Sequence, residues 1–397
     1  MTKETLRLLD LPWDLVVEII SRVPATCLSR LRFTCKRWNA LIKDEEFIKK
    51  HLDKTAKQHM VLMLRDFMFY SMHVNLHDMF VDPQTSLVNL KSFNNSERFG
   101  FRKIFHCDGL LLCHNGSRIT LVVWNPCTGQ IRRVQLSDYK CNTEFFLGYE
   151  NNKSCRQTYK ILRYSWVYRD NFHHPVVECG IYDFGSCSWR DLDDIPPKCN
   201  SITSKGVSLK GNAYWTVAKD KEEDVLLSFD FSTERFWALS IPFASIGIDC
   251  RLTALSVVRE ERLAVLYNMR FTGHPPKIEI WMTTDDKIDQ TKVVSWSKFL
   301  SLELDENNPQ KGLSSVTSFF IDEEKKAAVL CGLEYRNKRN MVTNVYIVGE
   351  DNLVMKIPVG EYRLQFLRPA IYNYVPSLAR IQERGVMTRK RKRKNRH

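Results

Sequence analysis

The sequence predicts an α+β chain with two folded parts, a small N-terminal module of three helices and a mostly-β domain of the β-propeller type with about six irregular blades. Apolar residues recur at helical spacing within residues 1–50, whereas residues 58–376 contain short apolar runs separated by turn-forming residues. The 397 residues, 44% hydrophobic and 26% charged, have a globular composition. Residues 51–57 are predicted to be a short polar joint, and residues 377–397 a basic, disordered tail.

The first helix is predicted to begin after Asp10, a capping residue, with Pro12 in its first turn, and to end before Pro24. The second helix carries Leu28 and the third carries Trp38. Because three helices of this size bury little surface, the module is marginally stable by itself. Apolar residues left on its outer face would suit a partner protein.

This order of residues resembles the F-box. The matching positions are Leu11, Pro12, Asp14, Leu15, Ile19, Ile20, Arg22, Pro24, Leu28, Arg30, Leu31, Cys35, Lys36, Trp38, Leu41 and Ile42. Thr34 departs from the pattern, because the family often has an aliphatic residue there. The alternative is a generic three-helix bundle in which Trp38 is simply a core residue.

The resemblance implies that the module docks on a Skp-type adaptor, and that Cys35 is a small buried hydrophobic residue. The residues it assigns to adaptor binding are Leu11, Pro12, Asp14, Leu15, Ile19, Ile20, Pro24, Leu28, Leu31, Cys35, Lys36 and Trp38.

The second part of the chain contains a weak repeat, in which an aromatic strand is followed by a polar turn and a second aromatic strand. Trp124, Tyr182, Phe229 and Ile280 mark it with spacings of 58, 47 and 51 residues, close to the roughly 50 residues of a kelch blade. A propeller must close its ring, so the apolar segment 59–69 is predicted to pair with a strand near residues 365–374. Predicted strands include 110–113, 120–124, 176–182, 225–229, 263–267, 278–282, 327–331 and 342–348.

Two short motifs are the most specific features of this region, C-D-G-L-L at residues 107–111 and W-N-P at residues 124–126. With them, the region resembles the F-box-associated, kelch-like domain of a large plant family. True kelch repeats carry adjacent glycines, and this chain has none. Four tryptophans of the repeat are expected to pack in the core, namely Trp124, Trp189, Trp237 and Trp296.

The sequence offers little for catalysis. His73 and His77 have the spacing of a zinc site, but Val74 replaces the acid of the H-E-x-x-H motif. His106, Cys107 and Asp108 are consecutive, so on a strand they would point to opposite faces and then enter a turn at Gly109. The twelve cysteines lack paired zinc-finger spacing and are expected to be reduced. No enzyme activity, metal or cofactor is therefore predicted.

The net charge of +13 lies partly in the tail, where seven basic residues stand among the last ten, and the remaining chain carries about +6. No apolar run reaches the roughly 18 residues of a membrane span, and the N-terminus lacks a secretory leader pattern. Nuclear import, with some cytoplasmic protein, is expected. The import candidates are Arg389, Lys390, Arg391, Lys392, Arg393 and Lys394.

The resemblances together imply a non-catalytic substrate-recognition subunit of an SCF-type ubiquitin ligase. The F-box would reach a cullin scaffold through the adaptor, and the β domain would bind an unknown protein substrate. Two alternatives stay open: an adaptor-binding protein that acts outside a cullin ligase, and a nucleic-acid binder that uses the basic tail. Substrate recognition is expected on the loops at 171–174, 219–224, 271–276 and 303–310.

Overall fold

The computed structural model describes most of the chain from residue 11 to residue 381. The described residues are 11–54, 60–65, 68–75, 80–87, 103–114, 120–136, 142–151, 157–167, 176–194, 196, 201–218, 224–242, 249–270, 274–285, 288, 293–304, 309–336, 340–350, 353–363 and 369–381. Among them, no helix is long and apolar enough to span a membrane.

The described N-terminal residues form four helices, one more than the sequence predicts. The fourth begins next to Asp44, whose carboxylate accepts a hydrogen bond from the backbone N–H of Phe47 at 2.9 Å. It runs on into the predicted polar joint, because its apolar positions pack on the other helices. The helices are α1 (Trp13–Ile20), α2 (Ala25–Leu31), α3 (Lys36–Leu41) and α4 (Glu45–Lys54).

Six antiparallel sheets follow among the described residues, each forming one blade of a β-propeller. Blade 1 is β1 (Met60–Arg65), β2 (Met68–Asn75) and β3 (Phe80–Leu87) with β25 (Ala370–Tyr374); blade 2 is β4 (Lys103–Cys107), β5 (Leu110–His114), β6 (Thr120–Trp124) and β7 (Ile131–Gln135); blade 3 is β8 (Thr143–Asn151), β9 (Gln157–Val167), β10 (Val176–Asp183) and β11 (Ser188–Asp191).

Blade 4 has five strands because two short strands, β12 and β13, both pair with β14. A 3-10 helix, Pro309–Ser315, precedes blade 6. Blade 4 is β12 (Ser201–Ile202), β13 (Val207–Leu209), β14 (Asn212–Ala218), β15 (Asp224–Asp230) and β16 (Arg235–Leu239); blade 5 is β17 (Asp249–Val258), β18 (Arg262–Arg270), β19 (Lys277–Thr283) and β20 (Trp296–Glu303); blade 6 is β21 (Val316–Asp322), β22 (Ala327–Tyr335), β23 (Asn340–Val348) and β24 (Val354–Arg363).

The two ends of the β domain share blade 1, as the sequence predicts. β25 is the inner strand of that blade and pairs antiparallel with β1, with Leu62 opposite Tyr372. β25 also contacts the inner strand of blade 6, β21. The pairing closes the ring, so that β1 has no exposed edge toward the axis.

The predicted aromatic repeat marks one structural position. Trp124, Tyr182, Phe229 and Ile280 all lie in the third strand of successive blades, and all four are buried. The expectation for the other tryptophans is only partly met. Trp237 is half-buried on β16, the outer strand of blade 4, and Trp189 and Trp296 likewise lie half-buried on the outer strands of their blades. The indole N–H groups of Trp189 and Trp296 donate to the carbonyls of Gln135 and Ser240, at 3.1 and 3.0 Å, and so tie each outer strand to the preceding blade.

Candidate functional site

The four N-terminal helices bury one set of the predicted adaptor-binding residues and expose another. Ile20, Leu28 and Trp38 lie in the core of the helical module, residues 11–54, so they shape its surface without reaching it. Leu11, Pro24 and Leu31 are half-buried, whereas the exposed members are Pro12, Asp14, Leu15, Ile19, Cys35 and Lys36.

Cys35 differs from its predicted role. Its side chain is exposed, not buried. The reason is local, because Cys35 is the N-cap of α3 with an extended backbone, φ −157° and ψ 163°, and its side chain therefore points away from the helix core.

An apolar edge remains exposed on α1. Leu15 and Ile19 stand one turn apart on the same face, with 52% and 44% of their surface accessible. Pro12, the N-cap of α1, is exposed beside them. Elsewhere on the module, Phe33, which the sequence analysis did not single out, is 77% exposed just after α2. Large exposed apolar side chains grouped on a small module mark a binding surface.

The core beneath this edge is braced by aromatic and charged contacts. The rings of Trp13 and Trp38 stack at 5.9 Å between centroids, and the Arg37 guanidinium lies 3.8 Å from the Trp13 ring. Glu18 on α1 forms ion pairs with Lys50 and Lys54 of α4, both at 2.6 Å. Hydrogen bonds from Lys50 and Lys54 lower the pKa of Glu18 to about 2.

His51 of α4 is a buried polar group, although the sequence assigned it to the polar joint. Its ring Nε2 lies 2.9 Å from the Val23 carbonyl oxygen, to which it donates a hydrogen bond. Only 2% of its surface is exposed, and burial lowers the pKa of His51 from its ordinary value. Its neutral form therefore belongs to the folded module.

A second element completes the helical module. Residues 375–381, called here the C-terminal strap, run from the end of β25 to the helices, where Leu378 is buried in the same apolar cluster as Trp38. The first five residues of the predicted tail, 377–381, thus belong to the folded structure, because three of their apolar side chains, Leu378, Ala379 and Ile381, are buried.

Comparison with known families identifies both parts. The profile described as the F-box domain matches residues 8–50, and the profile described as the F-box associated beta propeller domain matches residues 60–381. The chain belongs to the F-box proteins with an associated β-propeller. No catalytic family is indicated.

Relatives that match nearly the whole chain support the same family assignment. A protein of Arabidopsis thaliana named as an F-box protein is 46% identical over 400 residues, covering 98% of this chain and 99% of the relative. An F-box/kelch-repeat protein of the same plant is 39% identical over 390 residues, covering 95% of this chain and 97% of the relative. Among solved structures, a chain of a nidogen/laminin complex covers 79% of this chain and 98% of its own, with 9% identity and a TM-score of 0.39.

The F-box lies at one face of the propeller. It contacts Cys127, in the turn between the third and fourth strands of blade 2, and the strap that leaves β25, the inner strand of blade 1. Strand directions alternate within a blade, so connections from second to third strands, and from one blade to the next, emerge at the opposite face. The four predicted recognition loops lie wholly or partly outside the described residues.

A cavity of about 350 Å³ lies in the central channel and is lined by residues of all six blades, Lys103 and Tyr372 among them. Several of its polar side chains are bonded within the protein. Lys103 donates to the Glu144 carboxylate at 2.6 Å and to the Thr143 carbonyl at 2.9 Å, and Thr317 donates to the Pro369 carbonyl at 2.6 Å. The cavity therefore points to no particular class of ligand.

The residues considered for catalysis have structural roles. His106 and Cys107 end β4, and Asp108 and Gly109 form the following turn, as the sequence predicts. The Gly109 N–H donates to the His106 ring at 3.1 Å, and burial raises the pKa of the Cys107 thiol, which opposes nucleophilic reactivity. Within the described residues, which exclude His77, no group of three or more metal-ligating side chains is arranged to hold an ion. The basic run at 389–394 also lies outside the described residues.

Proposed function

We propose that this F-box protein is the substrate-recognition subunit of an SCF-type ubiquitin ligase. F-box domains generally bind Skp-type adaptors. The observation that carries the proposal is the exposed apolar edge of α1, where Leu15 and Ile19 stand free of the core that the neighbouring Val16 and Ile20 form. An exposed apolar edge of this kind marks a protein-interaction site.

The arrangement of the two parts supports the second half of the proposal. The F-box lies at one face of the ring, and the second-to-third strand connections emerge at the other. A protein substrate bound at that opposite face would leave the F-box free for the adaptor. The chain would then act by proximity, because holding a substrate lysine near a ubiquitin-charged enzyme raises its effective concentration without chemistry by this chain.

Leu15→Ala combined with Ile19→Ala tests the proposal. Both side chains are exposed, so the fold should tolerate their loss, while removal of central interface contacts costs about 2 kcal/mol or more, roughly thirtyfold in affinity. Leu353→Ala is the matched control, because Leu353 is also an exposed leucine, 57% accessible, at the outer edge of blade 6.

Adaptor affinity is measured with purified proteins, and cullin capture by co-purification from plant extract. We expect the double variant to lose both and the control to keep both. Undiminished adaptor binding by a folded double variant would refute the assignment of the α1 edge. Adaptor binding without cullin capture by the unaltered protein would favour the alternative of an F-box protein that acts outside a cullin ligase.

A further inference from the structure

The F-box core of this chain contains a residue from the far end of the sequence. Leu378 is 1% exposed and packs in one apolar cluster with Val16, Leu28 and Trp38. The F-box profile ends at residue 50, so Leu378 lies outside the segment that defines the domain. A second contact comes from Arg380, whose guanidinium donates to the Lys43 carbonyl at 3.2 Å.

Asn125 of the W-N-P motif holds the strap on the propeller. Its side-chain N–H₂ group donates to the carbonyls of Ser377 and Ala379, both at 2.9 Å. Its side-chain oxygen accepts the backbone N–H groups of Cys127 and Thr128, at 2.8 and 3.1 Å, and so shapes the turn. Asn125 is fully buried, so each of these bonds is protected from water.

Two further contacts fix the course of the strap. Gln130 and Ile381 exchange two hydrogen bonds, both at 3.1 Å, between the glutamine amide and the backbone of Ile381. At the other end, Gly109 of the C-D-G-L-L motif approaches so closely that a Cβ there would lie 2.5 Å from Ser377 Cβ. The strap is therefore seated on both motifs of blade 2, with contacts on either side of Leu378.

Blade 2 also contacts the F-box directly. Cys127, at the tip of the turn shaped by Asn125, packs on the same apolar cluster as Leu378. The propeller thus supports the helices at two points, the Cys127 turn and Leu378.

We propose that the C-terminal strap is an integral part of the adaptor-binding module, with Leu378 and Asn125 as positioning residues for adaptor capture. Neither side chain is exposed to an adaptor. Leu378 fills the core beneath α1, and Asn125 holds Leu378 in place. The four short helices bury too little surface to fix the α1 edge by themselves, so the edge keeps its shape only while the strap is seated. This inference rests on the proposed function, since it concerns the same adaptor surface.

Three variants of the full chain test the role of the strap. Leu378→Ala removes the core contact, and Leu378→Met preserves its volume. Asn125→Asp keeps an oxygen for the N–H groups of Cys127 and Thr128 but replaces the donor to the Ser377 and Ala379 carbonyls. Leu353→Ala again serves as the matched control.

Two quantities are measured for each variant, the Kd for a purified Skp-type adaptor and hydrogen exchange of backbone amides. We expect Leu378→Ala and Asn125→Asp to bind the adaptor about tenfold more weakly or worse, and to lose amide protection in α1 and α2 while β15 and β18 keep theirs. Leu378→Met and the control should bind like the unaltered protein.

The outcomes separate the two proposals. If the unaltered protein captures no adaptor, the proposed function fails and the positioning role fails with it. If the unaltered protein binds while Leu378→Ala and Asn125→Asp bind equally well, only the positioning role is overturned. Loss of protection throughout the propeller in both variants would also overturn it, because Leu378 would then be a general stability residue.

Discussion

Gly109→Ala should loosen the strap from blade 2. Gly109 has φ +76°, in the left-handed region, and a Cβ there would lie 2.5 Å from Ser377 Cβ and 2.8 Å from the Val375 carbonyl oxygen. The left-handed backbone costs a residue with a Cβ about 1–2 kcal/mol, and forcing an extra carbon into tight packing costs about 1–3 kcal/mol. The free energy of unfolding should therefore fall by roughly 2–5 kcal/mol.

Gly185→Ala is the matched control. It is another turn glycine, but it is exposed, its φ is not positive, and its Cβ would approach only the Asp183 carboxylate, at 2.9 Å. Thermal unfolding is followed by circular dichroism. At about 2 °C per kcal/mol for a domain of this size, Gly109→Ala should lower the Tm by roughly 4–10 °C.

The same variant should bind the adaptor more weakly than the Gly185→Ala control, because Ser377 directly precedes Leu378. A Gly109→Ala protein that melts within about 1 °C of the control, with equal adaptor affinity, would refute the close seating of the strap on this turn.

Three further predictions concern the F-box and the tail. Trp38→Ala should lower the free energy of unfolding by about 3–5 kcal/mol, because the ring is 6% exposed and stacks on Trp13. The alanine variant should lose adaptor capture, whereas Trp38→Phe should retain part of it. Full adaptor capture by the alanine variant would contradict the core role of Trp38. Burial lowers the pKa of His51 in the folded protein. The contribution of neutral His51 to folding stability is therefore complete above about pH 6.5. It is lost as the pH falls, because His51 in the unfolded chain takes up a proton first. His51→Gln keeps a hydrogen-bond donor for the Val23 carbonyl but does not titrate. Between about pH 7.5 and about pH 5.5, it should lose less protection of the α1 and α4 backbone amides against hydrogen exchange than the unaltered protein. Equal losses in the two proteins would exclude His51 as the cause. Alanine at Arg389, Lys390, Arg391, Lys392, Arg393 and Lys394 should move a fluorescent fusion from the nucleus to the cytoplasm, and unchanged nuclear signal would remove the tail from import.

The sequence predicted the helices and blades well where a local period carries the information. Apolar residues at helical spacing predicted α1 to α3, and the repeat marked by Trp124 and Phe229 predicted the third strands of successive blades. It missed α4 altogether, because that helix begins in a charged stretch and its last residues, 51–54, are polar in composition although His51 is buried against Val23. A side chain in such a place cannot be recognised from its neighbours in the chain.

The candidate adaptor-binding site was likewise predicted only in part. The residues that form the F-box pattern were all identifiable, but the pattern does not distinguish Ile20, which is buried, from Ile19, which is exposed. Helix rotation against the core makes that distinction. Cys35 was assigned to the core for the same reason, although its place at the N-cap of α3 exposes it.

By itself, the sequence determined the family and the helical and β parts, because each depends on local periodicity or on short motifs. It also determined the pairing of the first and last strands, because a propeller must close its ring. Only the tertiary structure showed which distant residues the motifs contact. Asn125 stood out in the sequence only as part of the W-N-P motif, whereas its bonds to Ser377 and Ala379 reach across 252 and 254 residues. The strap has no period of its own, since it forms neither helix nor strand, and residues 377–381 were therefore predicted to begin the basic tail. Its order comes from burial of Leu378 and from hydrogen bonds made by distant side chains, and such contacts exist only after the ring has closed.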